Sequence, residues 1–183
     1  CIALCSADGI AKDNAEREMH CDNMLERGLS LGMTSDDLWF DPLFLVVKGM
    51  QDKQMEVLEA IKMFSDKGLK STGGLSNNSN GAPKHVRPIM DATLVAMCMM
   101  QGLTSAIVNP NDLRLMETIK SCDIFKNHVL SSRTICSAET VRPKSMRKTS
   151  THSGHTTTLH WLRPVSTSNM NTTRFIIRIR QSP

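Results

Sequence analysis

Through residue 130 the chain alternates short apolar runs, each ending in a polar turn, with longer segments whose apolar residues recur every three or four positions. Ile2-Ala3-Leu4-Cys5 reads as a strand entering the turn Ser6-Ala7-Asp8-Gly9. Leu38-Trp39-Phe40 leads to Asp41-Pro42, a stretch around Thr72 leads to Asn77, and Ala106-Ile107-Val108 leads to Asn109-Pro110. A helix is expected after each. Asp13-Asn14-Ala15-Glu16 looks like a capping box opening a helix that carries Met19, Met24 and Leu25 and stops near Gly28. The next is expected from Lys53 to Asp66, with Val57, Leu58, Ile61 and Phe64 on one face and Gly68 as its stop. A third has Pro88 in its first turn and runs through Ile89, Leu94, Val95 and Met99 to Gly102. The last starts at Asn111-Asp112, carries Leu113, Met116 and Ile119, and extends as far as Leu130.

Asp8, Asp41, Asn77 and Asn109 therefore stand 33, 36 and 32 residues apart, marking four successive βα units. Strands joined by helices run parallel, and in a (β/α)8 barrel the working residues gather at the C-terminal strand ends. Any one of these four, taken alone, is more often a turn or cap residue than a site residue. Four in phase place polar groups at one end of a sheet. The loop Gly73-Gly74-Leu75-Ser76-Asn77-Asn78-Ser79-Asn80-Gly81 suits a site, since glycines let backbone approach a ligand while amides and hydroxyls offer hydrogen bonds.

Three motifs carry a family resemblance: Phe40-Asp41-Pro42-Leu43, Gly74-Leu75-Ser76-Asn77 followed by Arg87-Pro88, and Gly102-Leu103 leading to Ala106-Ile107-Val108-Asn109. Together they resemble the pterin-binding barrel of methyltetrahydrofolate methyltransferases over residues 1 to 130. The nearest likeness is to the methyltetrahydrofolate:corrinoid iron-sulfur protein methyltransferase. The folate-binding module of cobalamin-dependent methionine synthase is similar, and dihydropteroate synthase is a more distant relative. The resemblance implies that Asp41 binds the amino-pyrimidine side of the pterin, a task for which a carboxylate can accept two parallel hydrogen bonds. It also implies that Asn77 is catalytic and lies near the ring nitrogen that carries the methyl group, where an amide can stay bonded as the nitrogen gains a proton. Gly74, Ser76, Arg87 and Asn109 complete the implied pterin contacts, with Arg87 either touching the pterin or bracing its loop. Two positions depart from the family: Asn109 replaces a common acidic residue, and Gly9-Ile10-Ala11 lacks the proline that relatives place two residues after the glycine.

The implied chemistry is methyl transfer from methyltetrahydrofolate to the cobalt of a corrinoid, a cobalamin-type cofactor held by a partner corrinoid iron-sulfur protein. A barrel needs eight strands and roughly 250 residues. With four units visible and Cys1 entering a strand at once, the expectation is the C-terminal half of a TIM barrel from a longer protein, binding methyltetrahydrofolate poorly alone and leaving room for a homodimer of halves. Dihydropteroate synthase-like condensation and a non-catalytic remnant of the fold are the alternatives.

Composition changes abruptly after residue 130. Residues 1–130 hold 13 Lys and Arg against 17 Asp and Glu, a balance of −4, whereas residues 131–183 hold nine against the single Glu139, a balance of +8. The second segment is rich in Ser and Thr and is expected to be a disordered basic tail or unselected sequence. Its Phe175-Ile176-Ile177-Arg178-Ile179-Arg180 alternates like a strand but has no evident partner. Nucleic acid is a poor fit as partner, because Tyr is absent and aromatic residues make up only 4%. Cys1, Cys5, Cys21, Cys98, Cys122 and Cys136 form no CxxC pair and read as plain thiols in a reducing, cytoplasmic compartment, with no metal site. The 13 methionines read as core filling, and no apolar run approaches the roughly 20 residues a membrane helix needs.

Overall fold

A computed structural model describes residues 9–126 in full and the backbone of four short strands outside them. In chain order the elements are β1 (Ile2–Ala3), β2 (Cys5–Ser6), β3 (Gly9–Ile10), α1 (Asn14–Ser30), β4 (Trp39–Asp41), α2 (Gln54–Asp66), β5 (Lys70–Ser71), α3 (Arg87–Met100), β6 (Ser105–Val108), α4 (Leu113–Phe125), β7 (Trp161–Leu162) and β8 (Phe175–Arg178). β1, β4 and β5 form a small parallel sheet in that order, with Ile2 opposite Phe40 and Phe40 opposite Ser71. β2 and β3 form an antiparallel pair around the expected first turn; Asp8, within that turn, lies outside the described residues.

β6 joins the sheet edge by an unusual seam. A single parallel bridge links Gly74 to Ile107, whose N–H donates to the Gly73 carbonyl at 2.8 Å. Further down, hydroxyls stand in for ladder carbonyls: Ser71 N–H donates to Thr104 Oγ1 at 3.2 Å, Thr104 N–H to Ser71 Oγ at 3.3 Å, and Ser105 Oγ to Thr72 Oγ1 at 2.7 Å. These groups are buried, so each bond removes a desolvated donor or acceptor that would otherwise be costly.

Helices cover one side of this sheet. Phe40 packs with Phe64, Ala60, Cys21, Leu38 and Leu69 under α1 and α2, while Ala106 and Val108 join Val95, Met99, Leu115 and Ile119 under α3 and α4. Helix α2 buries the four residues its periodicity predicts, and Gly68 ends it at φ 69°. Asp112 caps α4, its Oδ1 accepting from Leu115 N–H at 3.1 Å. That helix ends at Phe125, and the residues beyond 126 as far as the expected end at Leu130 lie outside the description.

Helix α1 departs from its pattern. Asp13 Oδ1 accepts from Glu16 N–H at 2.9 Å as expected, but Glu16 Oε2 accepts from Lys12 N–H at 2.7 Å, one residue before the cap. Met19 is 50% exposed and Met24 is exposed too, whereas Arg17, Cys21 and Gly28 face inward. Gly28 does not stop the helix, which runs to Ser30. It is a notch into which Leu38 fits, and a Cβ there would lie 2.9 Å from Leu38 Cδ1. Methionine as general core filling is also corrected: Met99 and Met116 are buried, but Met97 and Met100 face solvent.

The expectation that Phe175–Arg178 has no partner is overturned. It pairs antiparallel with β6, Ala106 opposite Ile177, and β7 pairs in turn with β8. An edge strand presents unpaired N–H and C=O groups, and this pairing satisfies those of β6. The rest of residues 127–183 lies outside the described residues. No helix among the described residues is long and apolar enough to cross a membrane.

Candidate functional site

The C-terminal ends of β4 and β5 meet at two adjacent glycines. Because Phe40 turns toward the helices, strand alternation turns Asp41 to the opposite face, at the last position of β4. Its Oδ1 accepts from Leu43 N–H at 2.8 Å, closing a tight turn around Pro42. Leu43 is held there at φ 64°, the sole non-glycine with positive φ among the described residues. Such strain persists where surrounding contacts over-determine the backbone, and it is enriched at functional sites. Burial pushes the Asp41 carboxyl above its usual range, partly offset by the Leu43 amide. Its Oδ2 makes no hydrogen bond among the described residues.

Gly73 allows this arrangement. A Cβ on it would lie 2.5 Å from Phe44 Cε2 and 2.9 Å from Asp41 Oδ1, so any side chain would displace both. Next to it, Gly74 carries the Asn77 amide: a Cβ there would lie 3.2 Å from Asn77 Nδ2. The chain then makes one 3-10 turn, Leu75–Asn77, with Asn77 N–H donating to the Gly74 carbonyl at 3.1 Å. Leu75 is 0% exposed and anchors this turn in the core, which leaves Ser76 half-buried and Asn77 exposed. The Asn77 side chain makes no hydrogen bond among the described residues. Asp41 and Asn77 thus flank one glycine pair, each with a polar atom to spare.

The next two residues turn inward. Asn78, 4% exposed, donates from Nδ2 to Gln54 Oε1 and to the Leu45 carbonyl at 3.2 Å, and its own carbonyl accepts from Val47 N–H at 3.0 Å. These bonds tie the Asn77 turn to the segment that follows Asp41. Ser79, fully buried, accepts from Arg87 Nε at 3.2 Å and lies close enough to Asp91 to influence its carboxyl. Burial pushes the Asp91 carboxyl up, and Ser79 and Arg87 pull it back. Arg87, at the start of α3, is thus tied to the loop through Ser79.

Asn109 lies two residues beyond Ile107 at the end of β6, with its Oδ1 accepting from Asn111 N–H at 3.1 Å. That bond closes a turn before α4 and occupies the oxygen. Of the six expected contacts, then, Asp41, Gly74 and Asn77 meet at the glycine pair, Ser76 follows in the 3-10 turn, Arg87 bonds to Ser79 of the same loop and Asn109 closes its own turn.

Sequence reasoning did not separate Asn78, Ser79, Gln54 and Asp91 from their surroundings. The run Ser-Asn-Asn-Ser-Asn offers five polar residues of one kind, and only the 3-10 turn decides which face outward. Cys21, Cys98 and Cys122 are buried free thiols, and burial pushes Cys98 up to about 12 and Cys21 up to about 11, so neither supplies a nucleophile.

Residues 7–109 match the family model described as pterin binding enzyme, an interval that spans more than half of the chain and contains Asp41, the glycine pair, Asn77 and Arg87 and ends at Asn109. The chain belongs to the pterin-binding enzyme family.

Proposed function

We infer that the chain carries the pterin half-site of a methyltetrahydrofolate-dependent methyltransferase whose methyl acceptor is the cobalt(I) of a corrinoid on another protein. The observation that carries the reading is the pair of open polar groups across Gly73-Gly74. Asp41 keeps Oδ2 for a donor edge, and Asn77 keeps both an N–H donor and a carbonyl acceptor. A pterin offers what each needs: an amino-pyrimidine edge that donates two hydrogen bonds, and at the other end of the bicycle the nitrogen that carries the methyl group.

The residues have separable tasks. Asp41 holds the pyrimidine edge, and its partial burial strengthens a charge-assisted bond there. Asn77 faces the methyl-bearing nitrogen. That nitrogen is a poor leaving group until protonated, and as the C–N bond breaks its electron pair remains on nitrogen while the methyl carbon passes to cobalt. An amide can accept from the protonated nitrogen or donate to the neutral one, so its bond strengthens as charge develops. Asn78 and Ser79 hold the turn that presents it.

The test uses the full 183-residue chain with methyltetrahydrofolate and a corrinoid acceptor. Asn77→Ala is expected to slow single-turnover methyl transfer by roughly 10²-fold or more while changing affinity by only a few-fold, whereas Asp41→Ala chiefly weakens binding measured by titration. Equal effects of Asn77→Ala on rate and affinity would remove its transition-state role.

A further inference from the structure

The lip beside Asn77 is cationic and unpaired. Between Asp66 and Asp91 the chain contains no Asp or Glu, and between Asp41 and Asp52 there is none either. These two stretches supply the loops that follow β5 and β4. Apart from Arg87, which bonds to Ser79, their cations divide into two sets. At the far end from the site, Lys67 is engaged by Glu18 and Asp22, and Lys70 by Asp36. On the site side, Lys48 and Lys84 are exposed and form no ion pair among the described residues, with exposed His85 next to Lys84.

Lys48 belongs to the Asn77 loop by contact. Its neighbour Val47 donates to the Asn78 carbonyl at 3.0 Å, and its own stem runs over Gly81, with Cδ 3.7 Å from where a Cβ on that glycine would sit. Lys84 follows Gly81 by three residues.

The chemistry of a reduced folate says what would meet this lip. The ring carbon next to the methyl-bearing nitrogen carries the p-aminobenzoyl-glutamate chain, at the opposite end of the bicycle from the amino-pyrimidine edge. If Asp41 grips that edge and Asn77 faces the nitrogen, the chain leaves on the Asn77 side. It ends in two carboxylates and gains one more with every added glutamate. We propose that Lys48 and Lys84 form a subsite for the glutamyl carboxylates of the folate chain, so that this protein prefers folates bearing several glutamates. The proposal rests on the pterin orientation inferred above.

The experiment titrates the full chain with three ligands: 6-methyltetrahydropterin, which lacks the chain, tetrahydrofolate with one glutamate, and tetrahydrofolate with three. Affinity is expected to rise along this series, with a gain of roughly five-fold between one glutamate and three at low salt. Near 1 M salt, where the screening length falls to about 3 Å, the gain should vanish. Lys48→Glu and Lys84→Glu are expected to abolish the gain and leave 6-methyltetrahydropterin binding unchanged.

Equal affinities for one and three glutamates in the unaltered chain would overturn the subsite. So would charge reversals that leave all three affinities alone but slow methyl transfer to the corrinoid protein, an outcome that assigns the lip to the partner. If Asp41→Ala leaves 6-methyltetrahydropterin binding unchanged, the pterin orientation itself fails and takes the subsite with it.

Discussion

Asn77 holds its side chain in solvent against Gly74, while Asn78, one residue on, is buried and spends its amide on Gln54 and the Leu45 carbonyl. The residue type is the same and the local sequence is nearly symmetric. What divides them is Leu75, whose burial in the core fixes the phase of the 3-10 turn and so decides which asparagine faces out. Availability for a ligand is here a consequence of packing two residues away. The pair also separates two kinds of cost: a group held open contributes little to stability and can serve chemistry, whereas a group closed into the scaffold does the reverse.

The sharpest way to break this contrast is to truncate both. Asn78→Ala removes one donor from two acceptors and leaves the Leu45 carbonyl without that bond in a part-buried site, so it is expected to cost about 2 kcal/mol of stability in chemical denaturation. Asn77→Ala should change stability by less than about 0.5 kcal/mol, as for exposed positions generally. If the two variants unfold at the same denaturant midpoint, the assignment of one asparagine to scaffold and the other to chemistry is wrong.

A second comparison lies within the glycine pair. Gly73→Ala drives a methyl group to 2.5 Å from the Phe44 ring and 2.9 Å from Asp41, both tied into the turn after β4, and overpacking of this kind costs about 1–3 kcal/mol. Gly74→Ala meets only the flexible end of Asn77 at 3.2 Å, which can swing away, so its stability should hold within about 0.5 kcal/mol of the unaltered chain. The readouts should therefore cross: Gly73→Ala is seen in the melting midpoint, Gly74→Ala in the methyl-transfer rate as Asn77 is displaced. Equal loss of stability in both would mean that the pair is needed only for backbone freedom.

How much of this was legible in sequence depends on where each residue's partners lie. Helix α2 could be read from its own text, because Val57, Leu58, Ile61 and Phe64 form a stripe that any apolar surface would bury. Helix α1 could not, since Arg17 is 1% exposed and sits inward on bonds to Asn14 at 2.8 Å and to Glu56 of α2 at 3.2 Å. A buried arginine with a partner 39 residues away gives no local signal, and it reverses the face that Met19 and Met24 suggest. Strand ends carrying Asp41 and Asn77 stood out because apolar runs stop at them. The Ser71–Thr104 and Ser105–Thr72 seam did not, because short hydroxyl residues look the same in a loop, a strand or a helix cap. The partner of Phe175–Arg178 was hidden by distance along the chain, since the paired residues of Ser105–Val108 lie 67 to 73 positions back.

The smallest expected effect tests Asp41 as an open group held at a cost. Burial favours its neutral form, so its folded-state pKa lies above the ordinary 3.8 of the unfolded chain. Below that ordinary value both states hold the proton, and the carboxyl imposes no electrostatic penalty. As pH rises from 3.8 through the higher folded value, the unfolded chain releases its proton first, and stability falls across that window. Above it the penalty is constant. Asp41→Asn keeps an oxygen for the Leu43 N–H but cannot ionise, so at pH 7 it should be slightly more stable than the unaltered chain, by about 0.5 kcal/mol. The advantage should shrink to nothing as pH is lowered below 4, while pterin binding weakens because the charge that meets the amino-pyrimidine edge is gone. Stability curves for the two proteins that stay parallel from pH 3 to pH 7 would show that Asp41 is not held in its charged form against its surroundings. It would then be a turn residue like Asn109.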